Sequence, residues 1–282
     1  MLIFHQPASL KYNSVFNLKK VLTLIISILW VCGQYSCEDP SLNNPFGGDI
    51  TPDVTIDNEG LDGMVIDTSS ITISWTPNMY AFEFSYYLFP VDTIYSDWNT
   101  NTTAHYKFLD EDEYFFYIKS RHSEIEEQAH PDSLSFIVNA VPENSLRIYP
   151  LYTEVNNSED FLIDIFAEEV NQLTGAEIKL TYNPQFVSLD SMISGAFLLE
   201  TEGLSVTINE HNPETGHLVI TLATYDDNAL GLTGSGSLSQ ILFNTLQEGD
   251  FEIIISEDSK LRTGTNSVVE ISNMINGRVK IK

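Results

Sequence analysis

The sequence predicts an all-β protein made of two β-sandwiches. From about Val54 to Lys282, short runs alternate between apolar and polar residues, and this period of two is typical of strands that bury one face. Asn, Gly, Pro and Asp separate the runs, as turns between short strands require. No stretch shows convincing helical periodicity. A length of 282 residues with 43% hydrophobic content is enough for two packed domains.

The first 36 residues resemble an export signal. Two lysines precede VLTLIISILWVC, a 12-residue apolar run that is too short to cross a membrane comfortably. Cys37 follows the small residue Ser36 and precedes an acidic Glu-Asp pair. This pattern resembles a bacterial lipoprotein signal, which implies that Cys37 carries the lipid, and the acidic pair is similar to the surface-export signal of Bacteroidota lipoproteins. Ordinary signal-peptide cleavage nearby is the alternative. We expect an outer-membrane or cell-surface protein that touches the membrane only through its lipid anchor.

The stretch EDPSLNNPFGGDITPD predicts a flexible tether over residues 37–53. It holds three Pro, two Gly and two Asn residues and no periodic apolar pattern. Cys32 and Cys37 are the only cysteines, and both lie in or beside the leader. The two predicted domains therefore have no disulfide and no thiolate metal site, so burial must supply their stability.

The chain is strongly acidic. It has 40 Asp and Glu residues against 13 Lys and Arg residues, a formal net charge of −27. Three cations (Lys11, Lys19 and Lys20) lie in the first 36 residues, which leaves 10 cations against 40 anions, a net of −30. Such a surface repels phosphate backbones and excludes nucleic-acid binding. It predicts a basic or calcium-neutralised ligand whose affinity falls as salt rises.

The first predicted sandwich covers residues 54–141. SSITISWTP alternates around Trp75, and AFEFSYYLF places Phe82, Phe84 and Tyr86 on one face. Together with Tyr114, Trp75 and Phe84 can supply an aromatic core to a domain of this size.

The same block resembles a fibronectin type III or related immunoglobulin-like domain. Such modules carry a Trp on an early strand and a late Leu-turn-Tyr-x-x-x-Val pattern, which Leu109, Tyr114 and Ile118 match here. Residues 110–113, DEDE, lack the spaced oxygens and the Gly of a calcium loop, so we expect a solvated hairpin tip. Trp98 is either an exposed aromatic for ligand stacking or, as we expect, a half-buried strand position.

The second predicted sandwich covers residues 142–282 and is expected to be a jelly-roll-like domain of at least nine strands. The strand segments are LRIYP, FLIDIFA, GAEIKLTY, FVSLD, LSVTIN, HLVITLATY, LSQILFNTL, FEIIIS and GRVKIK. LTGAEIKLTYNP, GHLVITLATYDD, GLTGSGSLSQILFNTL, EGDFEIIIS and INGRVKIK resemble the ordered pieces of a cohesin domain, closer to the broad type II group. The resemblance implies a non-catalytic receptor that binds a calcium-loaded dockerin through one sheet face, with calcium belonging to the partner.

The resemblance also implies which residues touch the partner. Glu177 falls where cohesins grip a dockerin Ser or Thr, and Lys179 is the next outward residue. On the HLVITLATY strand, we expect Thr221, Ala223 and Tyr225 to point outward. Gly175 stands where type I cohesins often carry Asn. The alternative is that these residues belong to an ordinary solvated sheet face.

Leu218, Ile220 and Leu222 alternate with these outward positions and are expected to lie in the core.

Two other functions would make different demands on the sequence. A carbohydrate-binding surface lipoprotein, associated with polysaccharide utilisation, would need aligned aromatic residues, and Tyr225 is the only aromatic among the outward candidates. An enzyme is disfavoured because the chain has no H-E-x-x-H and no G-x-S-x-G. His211 and His217 flank a predicted hairpin turn and are expected to be surface polar residues. The sequence predicts no catalytic residues, no protein metal site and no cofactor.

Overall fold

The structure is a computed structural model that describes residues 51–122, 127–199, 204–224, 231–265 and 267–282. The predicted signal peptide, Cys37, most of the tether and Tyr225 lie outside the described residues. Strands dominate the described part, which holds one α-helix, α1 (Ala196–Leu199), and one 3-10 turn (Glu59–Leu61). The predicted all-β sandwich fold is confirmed. Within these ranges, no helix has the length and apolar character needed to span a membrane.

The first sandwich packs a three-stranded sheet, β1-β3-β5, against a four-stranded sheet, β2-β7-β6-β4. Its strands are β1 (Val54–Ile56), β2 (Met64–Ile66), β3 (Ser70–Pro77), β4 (Glu83–Phe89), β5 (Thr103–Lys107), β6 (Glu113–Arg121) and β7 (Asp132–Val138). Alternation in β3 and β6 directs every second side chain into the space between the sheets.

An aromatic cluster fills the centre of this sandwich. Trp75, Phe84 and Tyr114 are each only 2% exposed, which confirms the predicted aromatic core. The Trp75 ring lies 5.9 Å from Phe84 and 6.0 Å from Phe116, centroid to centroid. The Tyr114 hydroxyl donates a hydrogen bond of 2.9 Å to the carbonyl oxygen of Asp110, satisfying its polar end. The prediction for Phe82 is wrong: it precedes β4 and is 54% exposed.

The second sandwich contains twelve strands in its described part. They are β8 (Ser145–Tyr149), β9 (Tyr152–Val155), β10 (Asp160–Thr181), β11 (Val187–Ser194), β12 (Leu204–Asn212), β13 (His217–Thr224), β14 (Leu232–Thr245), β15 (Gly249–Ile255), β16 (Lys260–Thr263), β17 (Val268–Val269), β18 (Met274–Ile275) and β19 (Gly277–Ile281). Two predicted strands, FLIDIFA and GAEIKLTY, merge into β10, whereas β9, β16, β17 and β18 are additional. Strands of two to four residues show too few alternations for a sequence pattern to reveal them.

Strand β10 belongs to both layers of this sandwich. Its first half pairs with β14 and β8, and its second half pairs with β13 and β16. Register shifts between Ile165 and Leu173 and positive φ angles at Glu169 (46°) and Gln172 (52°) bend the strand between the layers. The bend lets one continuous strand contribute buried residues such as Ile163 and Ile178 to the same core.

The segment DEDE joins the two sandwiches. Strand β5 pairs with β3 whereas β6 pairs with β4 and β7, so residues 108–112 cross between sheets rather than close a hairpin. Asp110 accepts hydrogen bonds from Arg147 Nη1 (3.0 Å) and from the Leu151 amide (3.1 Å) of the second sandwich. Glu111 accepts one from the Val141 amide (2.6 Å). The predicted solvated hairpin tip is therefore wrong.

The Asp110 carboxyl gives this junction a pH dependence. Burial raises the pKa of Asp110 to about 6, although Arg147 and the Leu151 amide lower it. Between the ordinary pKa of 3.8 and about 6, the folded state holds a proton that the unfolded state has released. Stability therefore falls as the pH rises through this window, by roughly 2–3 kcal/mol at about 1.4 kcal/mol per pKa unit.

We expect Asp110→Asn to remove this component of the pH dependence while keeping an oxygen acceptor for Arg147 and Leu151. Urea unfolding of the full chain, measured at intervals from pH 4 to pH 7, checks the prediction. Trp75 and Trp98 both lie in the first sandwich, so their fluorescence reports on this side of the junction. Equal slopes of stability against pH in the two proteins would contradict it.

Candidate binding face

Four strands form an outward-facing sheet surface on one layer of the second sandwich. Their order is β16, the second half of β10, β13 and β12. Glu177 lies opposite Thr221 on β13 and opposite Lys260 on β16. Lys179 lies opposite Val219, which in turn lies opposite Glu210 on β12. We call this surface the β10–β13 face. It is formed by Gly175, Glu177, Lys179, Val219, Thr221, Ala223, Lys260 and Arg262, with Thr207 and Glu210 at its edge.

Alternation separates this face from the core beneath it. Leu218, Ile220 and Leu222 are at most 2% exposed, which confirms their predicted core positions. On β10, Ile178 and Leu180 are each 1% exposed and contact the same cluster. Burial of these residues fixes the register of both strands, because a slip by one residue would bring the polar side chains inward.

A tight hairpin between β12 and β13 fixes how the two strands meet. The Asn212 side chain accepts hydrogen bonds from the amides of Glu214 (3.0 Å) and Thr215 (3.3 Å). Gly216 adopts a φ of 69°, and a Cβ at this position would lie 2.0 Å from the Tyr182 carbonyl oxygen. Only glycine fits here, so the NPETG segment determines the position of β13 beside β10.

Four of the five predicted partner-binding residues lie on this face. Glu177 and Thr221 are cross-strand neighbours, and Ala223 is exposed two residues beyond Thr221. The Lys179 Nζ and Glu177 Oε1 atoms are 3.6 Å apart, in a solvent-exposed contact of small energetic value. The fifth residue, Tyr225, lies outside the described residues.

A shallow depression of about 430 Å³ opens in the face where two positions lack large side chains. The small residues Gly175 and Ala223 line it together with Glu177, Thr221 and Arg262. A Cβ at Gly175 would make only ordinary contacts, at 3.6 Å to the Leu222 carbonyl oxygen and 3.7 Å to Arg262 Cβ. The depression can therefore admit a side chain from another molecule.

The face has a different charge balance from the whole chain. Lys179, Lys260 and Arg262 contribute three positive charges, against two from Glu177 and Glu210. The net of +1 contrasts with −27 for the full sequence. The overall charge thus does not describe the charge that a partner meets at this surface.

Sequence reasoning missed five residues of this face, namely Val219 on β13, Lys260 and Arg262 on β16, and Thr207 and Glu210 on β12. Lys260 and Arg262 lie on β16, a four-residue strand with Leu261 as its single buried apolar residue. Val219 occupies an outward position yet is only 6% exposed, because it lies between Lys179 and Glu210. The sequence signal for β16 is the alternation of polar and apolar residues in KLRT, but four residues are too few to distinguish a strand from chance.

The described outward positions of these four strands carry no phenyl, phenol or indole ring. Aligned aromatic rings are what sugar binding on this face would need, so the structure gives that alternative no support here. Across the described ranges, no cluster of three His, Cys, Asp or Glu side chains is arranged to hold a metal ion.

No protein-family model and no curated protein matches the chain significantly. Solved structures similar to it are cohesin domains that cover about half of its length. The sixth cohesin of scaffoldin B from Acetivibrio cellulolyticus, solved in complex with a dockerin, is 16% identical, with a TM-score of 0.43, over 50% of this chain and 100% of that one.

Two further examples show the same level of similarity. A type II cohesin from the A. cellulolyticus cellulosome is 15% identical over 49% of this chain and 95% of its own, with a TM-score of 0.43. A non-cellulosomal cohesin from Archaeoglobus fulgidus is 14% identical over 50% and 92%, with a TM-score of 0.41. Similarity this low says nothing about individual residues, so we infer function from the surface itself.

Proposed function

We propose that the chain is a non-catalytic receptor whose β10–β13 face binds a partner protein of the dockerin type. The observation that carries the proposal is the depression at Gly175 and Ala223, near the end of β13, in an otherwise polar, outward-facing sheet. The cohesin-like sequence motifs support a dockerin-type partner rather than an arbitrary protein.

The arrangement of side chains suits a protein–protein contact. Val219 and Ala223 provide apolar surface on either side of Thr221, and Glu177 and Thr221 provide hydrogen-bonding groups between them. Lys260 and Glu210 stand toward the edges. Interfaces commonly combine a small desolvated centre with a polar rim that excludes water. An ordinary solvated sheet face would not need small residues at two neighbouring positions.

Titration calorimetry tests the proposal directly. The full chain is titrated with purified type I and type II dockerins, each loaded with calcium and each stripped with EDTA. We expect at least one calcium-loaded dockerin to bind and the EDTA-treated protein not to bind, because calcium would order the partner. Failure of every dockerin to bind in either condition would overturn the proposal.

We also propose that Cys37 anchors the receptor to the outer membrane or cell surface through a lipid. The basis is the sequence pattern around this residue, with its short apolar run and following acidic pair. In this arrangement the tether and the first sandwich, which resembles a fibronectin type III domain, act as a spacer. The hydrogen bond from Tyr114 to the Asp110 carbonyl supports that resemblance, since immunoglobulin-like sandwiches use such a tyrosine corner.

Cys37→Ser is expected to abolish fatty-acid labelling and to move the protein from the membrane fraction to the soluble fraction. Metabolic labelling in a bacterial host and membrane fractionation measure both effects. Cys32→Ser is the matched control and should keep the label and the membrane location. Fatty-acid labelling that persists in Cys37→Ser would contradict the proposed lipid anchor at Cys37.

A further inference from the structure

A row of aromatic residues lies on the outer face of the first sandwich, on the side away from its core. Tyr87 and Tyr117 are cross-strand neighbours on β4 and β6, with ring centroids 5.0 Å apart and planes within 16°. Phe89 and Phe115 are paired two residues farther along the same strands. Tyr95 contacts Tyr87 edge-on at 4.6 Å. We call this row the aromatic band. It consists of Tyr87, Phe89, Tyr95, Trp98, Phe115 and Tyr117.

The fold does not require aromatic residues at these positions. The core side of the same strands is supplied by Leu88, Phe116 and Ile118, each 0% exposed. The outward positions of a sandwich sheet are ordinarily polar, yet here Tyr87 and Tyr117 are only partly covered and Phe89 is 53% exposed. A contiguous aromatic surface that is only partly covered is a feature of binding sites.

The tyrosines of the band offer unused hydroxyl groups. Tyr106, Tyr114 and Tyr182 each form a side-chain hydrogen bond within the chain. Among the described residues, the hydroxyls of Tyr87, Tyr95 and Tyr117 form none. The band therefore combines ring surfaces with free donors and acceptors.

Charge on the band is balanced. Lys119 Nζ lies 5.0 Å from the ring centroids of Tyr95 and Trp98, and the Arg121 guanidinium lies 4.4 Å from Trp98. Each cation is also paired, Lys119 with Glu127 (3.2 Å) and Arg121 with Glu83 (2.8 Å). The charges of these four side chains sum to zero, so they offer an anionic ligand no unpaired cation and a cationic ligand no unpaired carboxylate. This local balance of charge suits an uncharged ligand.

The band is linear. Its rings extend from Phe115 to Trp98, which packs on Arg121, six residue steps along β6 from Phe115. This corresponds to a length of about 20 Å at ~3.4 Å per residue. A flexible neutral polymer with repeated apolar faces and hydroxyl edges fits such a row, because its C–H faces can stack on rings while its hydroxyls bond to tyrosine. We propose that the aromatic band binds a neutral polysaccharide.

Affinity electrophoresis of the full chain tests this, with hydroxyethylcellulose, arabinoxylan, galactomannan and soluble starch as probes. We expect at least one to retard the protein. Trp98→Ala and Tyr117→Ala should each weaken that retardation at least tenfold. Tyr87→Phe combined with Tyr117→Phe, which keeps both rings, should weaken it several-fold. Leu162→Ala, which alters a 50% exposed residue of the second sandwich, should leave it unchanged.

Several outcomes would overturn the proposal. The first is the absence of retardation by any of the four polysaccharides. The second is retardation only by the anionic polymers alginate and polygalacturonate. The third is binding only to poly-L-proline, which would indicate a peptide site. If the double Phe variant is retarded as strongly as the unmodified chain and has an unchanged circular dichroism spectrum, the hydroxyl groups have no role in binding. If Trp98→Ala is also retarded as strongly as the unmodified chain, the aromatic band is not the binding site. No dockerin is present in this experiment, so its result is independent of the proposed protein partner.

Discussion

Arg147→Ala is expected to lower the free energy of unfolding by about 3–5 kcal/mol, the usual cost of breaking a buried ion pair from one side. Arg147 and Glu168 are each only 3% exposed, and their Nε and Oε1 atoms are 2.5 Å apart. The guanidinium also lies 4.4 Å from the Phe166 ring centroid and bonds to Asp110 of the first sandwich. Removing it leaves a buried carboxylate without its partner at the junction. Urea unfolding followed by circular dichroism measures the loss.

A second substitution separates the lost pair from the lost packing. Arg147→Met combined with Glu168→Leu removes both charges of the buried pair and leaves only Asp110, whose side chain is 18% exposed, without its cation. We therefore expect most of the lost stability to return. If Arg147→Ala costs less than about 1 kcal/mol, the pair is exposed in solution and the junction is not as described.

Ala223→Arg is expected to reduce the affinity for a dockerin-type partner at least 100-fold, or about 2.7 kcal/mol. Ala223 is exposed, so the larger side chain does not disturb the core, but it would fill the depression beside Gly175 and add a charge that a partner must desolvate. Calorimetric titration with the dockerin that binds the unmodified chain gives the affinity.

Leu162→Arg is the matched control for this substitution. It adds the same side chain to an exposed position on the first half of the same strand, β10, in the other layer. We expect its affinity to equal that of the unmodified chain. Weakening of similar size in both variants would indicate a general charge effect rather than contact at the β10–β13 face.

Alternation predicted much of what the structure contains. The buried residues Trp75 and Ile220 follow directly from strands with period two, because each face of a strand meets a single environment. The same rule placed Glu177 and Thr221 on one surface once their strands paired. The pairing and register of these strands could not be read from spacing, and the cohesin-like motifs implied only that both strands lie on one face.

Three features escaped prediction for physical reasons. The bend in β10 depends on positive φ at Glu169 and Gln172, residue types that do not ordinarily signal such a conformation. Asp110 belongs to an acidic run that is typical of solvent exposure, and its partner Arg147 is 37 residues away in the chain. The pair Tyr87 and Tyr117 lies on strands with aromatic residues on both faces, where the sequence cannot tell core from surface.

Site-specific photo-crosslinking tests the central claim, binding of a partner protein at the β10–β13 face, most directly. The photoreactive residue p-benzoylphenylalanine is placed at Thr207 or at Lys260, exposed positions at opposite edges of the face, and at Leu162 in the other layer. With a calcium-loaded dockerin present, we predict crosslinks from Thr207 and Lys260 and none from Leu162. Crosslinking from Leu162 alone, or equally from all three positions, would contradict the claim.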